Sequence, residues 1–252
     1  ITTLLIQSVF LGIFYGVFNI TAHSLFLAKF DETIMARAYI LSGLAGSGLT
    51  YLYTLLQSRM KFTGFSIINL GFILIVTLLL WLFMKLYPEN WVIFAIFIML
   101  GPLNLLALLG FYGTTGRLFT LRQGKRLFGI IDTGIVVGVI VSSFAIPGLL
   151  SLNMRTQDII LISSGSILAA MVIQGIIGKN YRGLLLASSS GGEKGEGISV
   201  FRKDKYVRTY GLFIALSVVV MFFCSVPIHG RYQERYPEEQ EMASFLGLLR
   251  EA

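Results

Sequence analysis

Seven apolar runs, each long enough to cross a bilayer as a helix, constrain this chain more than any other feature. They cover about residues 4–28, 38–57, 64–86, 91–113, 127–150, 158–178 and 207–228, and a hydrocarbon core about 30 Å thick needs roughly 20 helical residues. Lipid offers no partner for a backbone N–H or C=O, so a spanning segment must close its hydrogen bonds within itself or around a barrel. The runs are continuous and lack the short alternation of barrel strands. The expected fold is therefore all-α, a polytopic membrane helix bundle with about seven transmembrane helices. Composition agrees: 55% of residues are hydrophobic, 13% are charged and the mean hydropathy is +0.78, whereas soluble domains carry roughly a quarter charged residues.

The first run is too long for the core of a signal peptide and precedes no soluble domain, so it reads as the first transmembrane helix. Cys224 is the single cysteine, which excludes a disulfide framework. The chain opens on Ile1 rather than Met and stops at Glu251-Ala252 just as a new apolar run, Phe245 to Leu249, begins. A fragment of a longer protein is expected.

Lys and Arg divide unevenly between the two sides of the expected bundle. The loops after the second, fourth and sixth runs carry thirteen, including Arg59, Lys61, Arg117, Arg122, Lys125, Arg126 and seven between Lys179 and Arg208; the opposite side carries six. The richer side is cytoplasmic by the rule that orients membrane proteins. The start of the first helix is then cytoplasmic, and the expected location is the bacterial cytoplasmic (inner) membrane. The net charge of +7 follows from topology, and no basic stretch has the interleaved aromatics of a nucleic-acid binder.

A faint internal repeat adds a second constraint. Residues 20–32 echo residues 226–238 at a constant offset, which places His23 on His229, Phe26 on Tyr232, Phe30 on Tyr236 and Glu32 on Glu238. The seventh run would then repeat the first, as in a transporter built from two parallel six-helix halves. The expected organisation is a first six-helix half over 1–178, a polar cytoplasmic linker over 179–205 and, over 206–252, the seventh helix with the start of the second half. The linker includes Ser188-Ser-Ser-Gly-Gly-Glu-Lys-Gly-Glu-Gly197, a flexible composition.

The stretch Gly116-Arg-Leu-Phe-Thr-Leu-Arg-Gln-Gly-Lys125-Arg126-Leu-Phe-Gly129 resembles the corresponding loop of the bacterial and plastid ATP/ADP translocase family. Tyr236-Pro-Glu-Glu-Gln-Glu-Met-Ala-Ser-Phe-Leu-Gly247 resembles the start of that family's second half. The resemblance implies a major facilitator-like architecture and a small, nucleotide-like solute. One departure is that Gln57-Ser-Arg59-Met-Lys61 lacks the Asp-Arg pair of the facilitator signature. That weighs against the proton-coupled mechanism accompanying the signature.

Ionisable and polar groups at membrane depth are the default site candidates. Asp132 lies six residues, about 9 Å, beyond Arg126; it could bind a coupling ion or substrate cation, or pair with a basic residue such as Lys125 at the mouth of the fifth helix. Tyr15, Asn19 and His23 recur every fourth residue and form one polar stripe on the first helix. That stripe could line a cavity or bond to a neighbouring helix. Asn104 and Tyr112 are weaker cavity candidates in a fourth helix loosened by Gly101-Pro102, and Gln174 reads as a helix-contact residue. Because histidine changes charge near neutral pH, the pair His23 and His229 could bias an outer gate or could be two interfacial residues without a role.

Gly12-x-x-x-Gly16 and Gly134-x-x-x-Gly138-x-x-x-Ser142 are small-residue stripes that let helices approach closely. The second points about 200° away from Asp132. No cluster of His, Cys and acids has metal-ligand spacing, and no nucleophile has a base nearby, so no enzyme, cofactor or metal is expected. The expected function is secondary, alternating-access transport of a small solute, with the bilayer and either the rest of the same protein or other membrane subunits as partners. The alternative is a transporter-derived subunit that anchors or scaffolds a larger complex.

Overall fold

The structure is a computed structural model. It describes residues 1–60, 62–87, 89–152 and 154–181, together with nine positions between 205 and 245. Six helices form in the order α1 (Thr2–Leu27), α2 (Glu32–Arg59), α3 (Phe62–Leu86), α4 (Asn90–Leu118), α5 (Leu121–Ser151) and α6 (Ile159–Asn180), and no strand occurs among the described residues. Five of them, all but α2, are long and apolar enough to cross a membrane. The second helix forms where expected, but Ser42, Gly43, Gly46, Ser47, Gly48, Thr50 and Thr54 dilute its apolarity. Among the described residues five of the seven expected spans are thus found, and the seventh expected run is described only at scattered helical positions from 205 to 217.

One helix start is set by a cap rather than by apolarity. α5 begins six residues before its apolar run: Thr120 and Gln123 close a reciprocal capping box, and the Thr120 N–H donates to Gln123 Oε1 at 3.2 Å. That device satisfies amides left open in a first helical turn. α6 continues through Lys179 and Asn180, so the expected linker begins as helix, and its last residue, Lys205, is helical too; residues 182–204 lie outside the described ones. Trp81, Tyr87 and Trp91 gather around the α3–α4 turn, the latter two exposed. Such amphipathic rings settle at a membrane–water boundary.

Packing partners repeat under exchange of α1–α3 with α4–α6. α1 packs on α5 and α6 as α4 packs on α2 and α3, while the pairs α1·α4 and α3·α6 exchange onto themselves. Because three helices reverse direction an odd number of times, the second triplet enters from the opposite side. The six helices are therefore two inverted three-helix units, with α1 and α4 central and α2 and α5 each held by essentially one neighbour.

Small residues line the α1–α5 and α2–α4 crossings. A Cβ on Gly12 would strike the Ile135 carbonyl, one on Gly134 or Gly16 would strike Ser8 or Ser142 Oγ, and one on Gly138 would meet the Val9 carbonyl and lie 2.9 Å from Gly12 Cα. α1 and α5 thus run in parallel, backbone against backbone. The equivalent α2–α4 pair uses Ser42, Gly46 and Gly101: a Cβ on Gly101 would lie 2.8 Å from Ser42 Oγ, and one on Gly46 would rest 3.8 Å from Pro102 Cγ.

Gly138→Ala is expected to destabilise the protein by about 1–3 kcal/mol through overpacking. Gly129→Ala, where an added Cβ meets nothing, should be neutral or stabilise by about 0.5–1 kcal/mol. Thermal unfolding in detergent followed by tryptophan fluorescence measures both, and equal melting points would contradict the backbone contact.

Candidate functional site

The polar side chains fall into a buried set that joins helices and a pair left on an open face. In the buried set, Gln7 Nε2 of α1 donates to Gln174 Oε1 of α6 at 2.8 Å, and Gln174 Nε2 donates to Thr114 Oγ1 of α4 at 3.0 Å. Thr114 uses its own proton on the Gly110 carbonyl at 2.9 Å. Ser66 of α3, 3.5 Å away, is then the donor to Thr114. Four helices are tied by one chain of bonds, in which Gln7 Oε1 alone lacks a partner. Nearby, Asn69 Nδ2 donates to the Leu106 carbonyl at 2.9 Å and Ser164 to Thr77 at 3.2 Å. Gln174 is thus the helix-contact residue that its position implied.

His23 is 8% exposed and turns into an aromatic cage rather than onto an open surface. Phe97 stands edge-on at 5.2 Å between ring centroids, and Phe26 and Tyr39 pack on the same Phe97 ring. His23 Nδ1 lies 2.9 Å from the Asn19 carbonyl and Nε2 lies 3.1 Å from Tyr39 Oη. A carbonyl can only accept, so the neutral ring carries its proton on Nδ1 and receives the Tyr39 hydroxyl at Nε2. The expected stripe therefore divides, because Tyr15 and Asn19 are half-buried while His23 is enclosed by α2 and α4. Its proposed partner His229 lies outside the described residues.

Asn104 is 6% exposed, with Oδ1 unpartnered, and so is not on a cavity surface. It lies about 80° around α4 from Tyr112. The exposed stripe of that helix is Gly101, Leu105, Tyr112 and Gly116.

Asp132 and Tyr112 meet on the open side. Tyr112 Oη donates to Asp132 Oδ1 at 2.6 Å, both residues are exposed, and α4 and α5 otherwise scarcely touch. The carboxylate thus accepts from a phenol of the neighbouring helix. The glycine stripe 134/138/142 sits buried against α1 on the far side of α5, so that helix has one packing face and one open face.

Of the four basic residues of the α4–α5 connection, Arg117 is set apart by its contact with α3. Arg117 folds back with its guanidinium 3.6 Å above the Phe62 ring, at a place where a Cβ on Gly113 would come within 2.9 Å of Phe62 Cζ. Tyr53 of α2 stands edge-on to Phe65 of α3 at 4.7 Å, and together these contacts tie the adjoining ends of α2, α3 and α4. Arg122 and Arg126 are exposed, and the Lys125 side chain lies outside the described ones. Among the described residues no three His, Cys, Asp or Glu gather as a metal site.

The buried chain through Gln7, Thr114 and Ser66 is what sequence reasoning missed. The available signal was that Gln7 and Gln174 are the only glutamines within the five spans. No protein-family model, curated protein or solved structure matches the chain.

Gln174→Ala strands Gln7, while Thr114 keeps its bonds to Gly110 and Ser66, and is expected to cost about 1–2 kcal/mol. The double replacement Gln7→Leu with Gln174→Leu removes both partners and should cost less than the single one. Unfolding midpoints of the two variants decide; additive losses would mean that the two glutamines do not communicate.

Proposed function

We propose that the protein is a secondary transporter of the alternating-access type, whose first half is the six-helix unit α1–α6. The observation that carries this reading is the exchange symmetry of the packing, in which two inverted three-helix units place α1 and α4 at the centre. Nested inverted triplets of this kind build each half of major facilitator-like transporters. The Asp132–Tyr112 pair supports it: a charge at membrane depth is costly against lipid and belongs on a water-filled cavity or a protein interface. The open sides of α4 and α5 then face the cavity, and the apolar outer sides of α3 and α6 face lipid. The solute proposed is small and nucleotide-like, on the likeness of the 116–129 loop to the ATP/ADP translocases. The proposed location is the bacterial inner membrane with the start of α1 in the cytoplasm, supported by the thirteen basic residues on that side.

Two measurements test the proposal. With Cys224→Ser as background, Leu105→Cys and Val136→Cys should react with a membrane-impermeant thiol reagent several-fold faster than Ile75→Cys and Val172→Cys, which are equally exposed on α3 and α6. Proteoliposomes of the full-length protein preloaded with ATP or ADP should show counterflow of labelled nucleotide, with sugars and peptides as the wider panel. Uniform thiol protection, no retained solute and tight co-purification of other membrane subunits would replace transport by the scaffold role.

A further inference from the structure

Arg122 and Arg126 stand on one side of α5, about 40° apart around the helix, and both are exposed. The candidate span of α5 begins at Arg126, so Arg122 lies about 6 Å outside it. The headgroup layer on either side of a bilayer core is about 5–7 Å thick. The two arginines thus bracket the level at which lipid phosphates lie.

Inward from Arg126 the same side of α5 continues as Ile130, Thr133 and Val137, each within about 40° of Arg126 around the helix and each exposed. The Thr133 hydroxyl donates to the Ile130 carbonyl at 2.5 Å, so its proton is spent on the helix itself. Val137 lies about 16 Å in from Arg126, close to the depth of one leaflet's hydrocarbon, about 15 Å. Asp132 belongs to a different sector of α5, about 120° from Arg126, where it accepts from Tyr112 of α4.

Charge selects the kind of lipid that fits. Apart from Asp132, the acids Asp31, Glu89 and Asp158 of the described residues stand in the turns at the opposite end of the bundle. Arg117, at the near end, is turned onto the Phe62 ring of α3. A phosphodiester accepts the forked N–H groups of arginine. A zwitterionic head would bring its own ammonium up to the same two cations, whereas an anionic glycerol head brings none. A free phosphate ion would use the arginines alone and leave the apolar track beside them unused.

We propose that this side of α5 binds one anionic glycerophospholipid, with its phosphodiester between Arg122 and Arg126 and an acyl chain along Ile130, Thr133 and Val137. The lipid steadies a helix that the rest of the bundle holds essentially through α1. The site requires the bilayer but neither transport nor a particular orientation of the chain across it, so it stands apart from the transporter reading.

Native mass spectrometry of the full-length protein, released from nanodiscs of phosphatidylglycerol and phosphatidylcholine with identical chains, tests it by counting the lipids retained. The unmodified protein should retain phosphatidylglycerol in preference. A basic residue near an anionic surface is worth about five-fold in affinity, so Arg122→Gln and Arg126→Gln should each lower that preference about five-fold and the double replacement should bring it near parity. Arg59→Gln, exposed at the same end but on α2, which is not among the five spans, should leave it unchanged. An equal loss in Arg59→Gln would mean diffuse attraction to the basic end and overturns the site. Glycerophosphoglycerol without chains, inorganic phosphate and ATP, each at millimolar concentration, should not displace the retained lipid; displacement by any of them overturns the lipid assignment in favour of a free anion. In detergent, added phosphatidylglycerol should raise the melting point of the unmodified protein more than that of the double variant, as binding to the folded state requires, and equal rises overturn the proposal.

Discussion

Everything in this bundle depends on how close two backbones can come without side chains between them. In lipid the hydrophobic effect does not press helices together, because a tail is as apolar as a leucine, and association relies on contact area and interhelical hydrogen bonds. Gly12, Gly16, Gly134 and Gly138 bring α1 and α5 to backbone contact, and Ser42, Gly46 and Gly101 let α2 and α4 meet through small side chains. The two flanking helices are held almost solely by these crossings, and the open faces of α4 and α5 exist because the crossings lie elsewhere.

Polar groups are sorted by the same economy. Gln7, Gln174, Thr114 and Ser66 spend their hydrogen bonds on one another at the meeting point of four helices. Asp132 and Tyr112 share one bond on an exposed face. His23 stands between the two cases: its ring nitrogens are bonded at 2.9 and 3.1 Å inside a cluster of phenylalanines that seals the end of the bundle opposite the basic loops.

The positions of six helices were legible because an apolar run of span length has one outcome in lipid. Their ends were less so: α5 starts at a capping box whose Thr120 and Gln123 lie before the apolar run, and hydropathy does not register a cap. Asp132 was legible as a candidate because a lone acid in a span stands out in any reading. Its partner was not, because Tyr112 lies twenty residues away on another helix, and only the packing decides which phenol reaches which carboxylate. Asn104 and His23 misled for the same reason, since a polar residue in a span can face a cavity, a neighbour or its own backbone, and sequence assigns the residue to a helix but not the helix to an orientation.

By itself the sequence determined that the chain is helical and built for a membrane, which sides carry positive charge, and which small residues allow close crossings. Those properties follow from the composition of single segments and from the absence of hydrogen-bond partners in lipid. Tertiary structure alone decided which crossings form, that α1–α3 and α4–α6 exchange packing partners, and that Asp132 bonds to Tyr112 on an exposed face. Each of these depends on rotations of helices about their axes, which a run of apolar residues leaves free and neighbouring side chains fix.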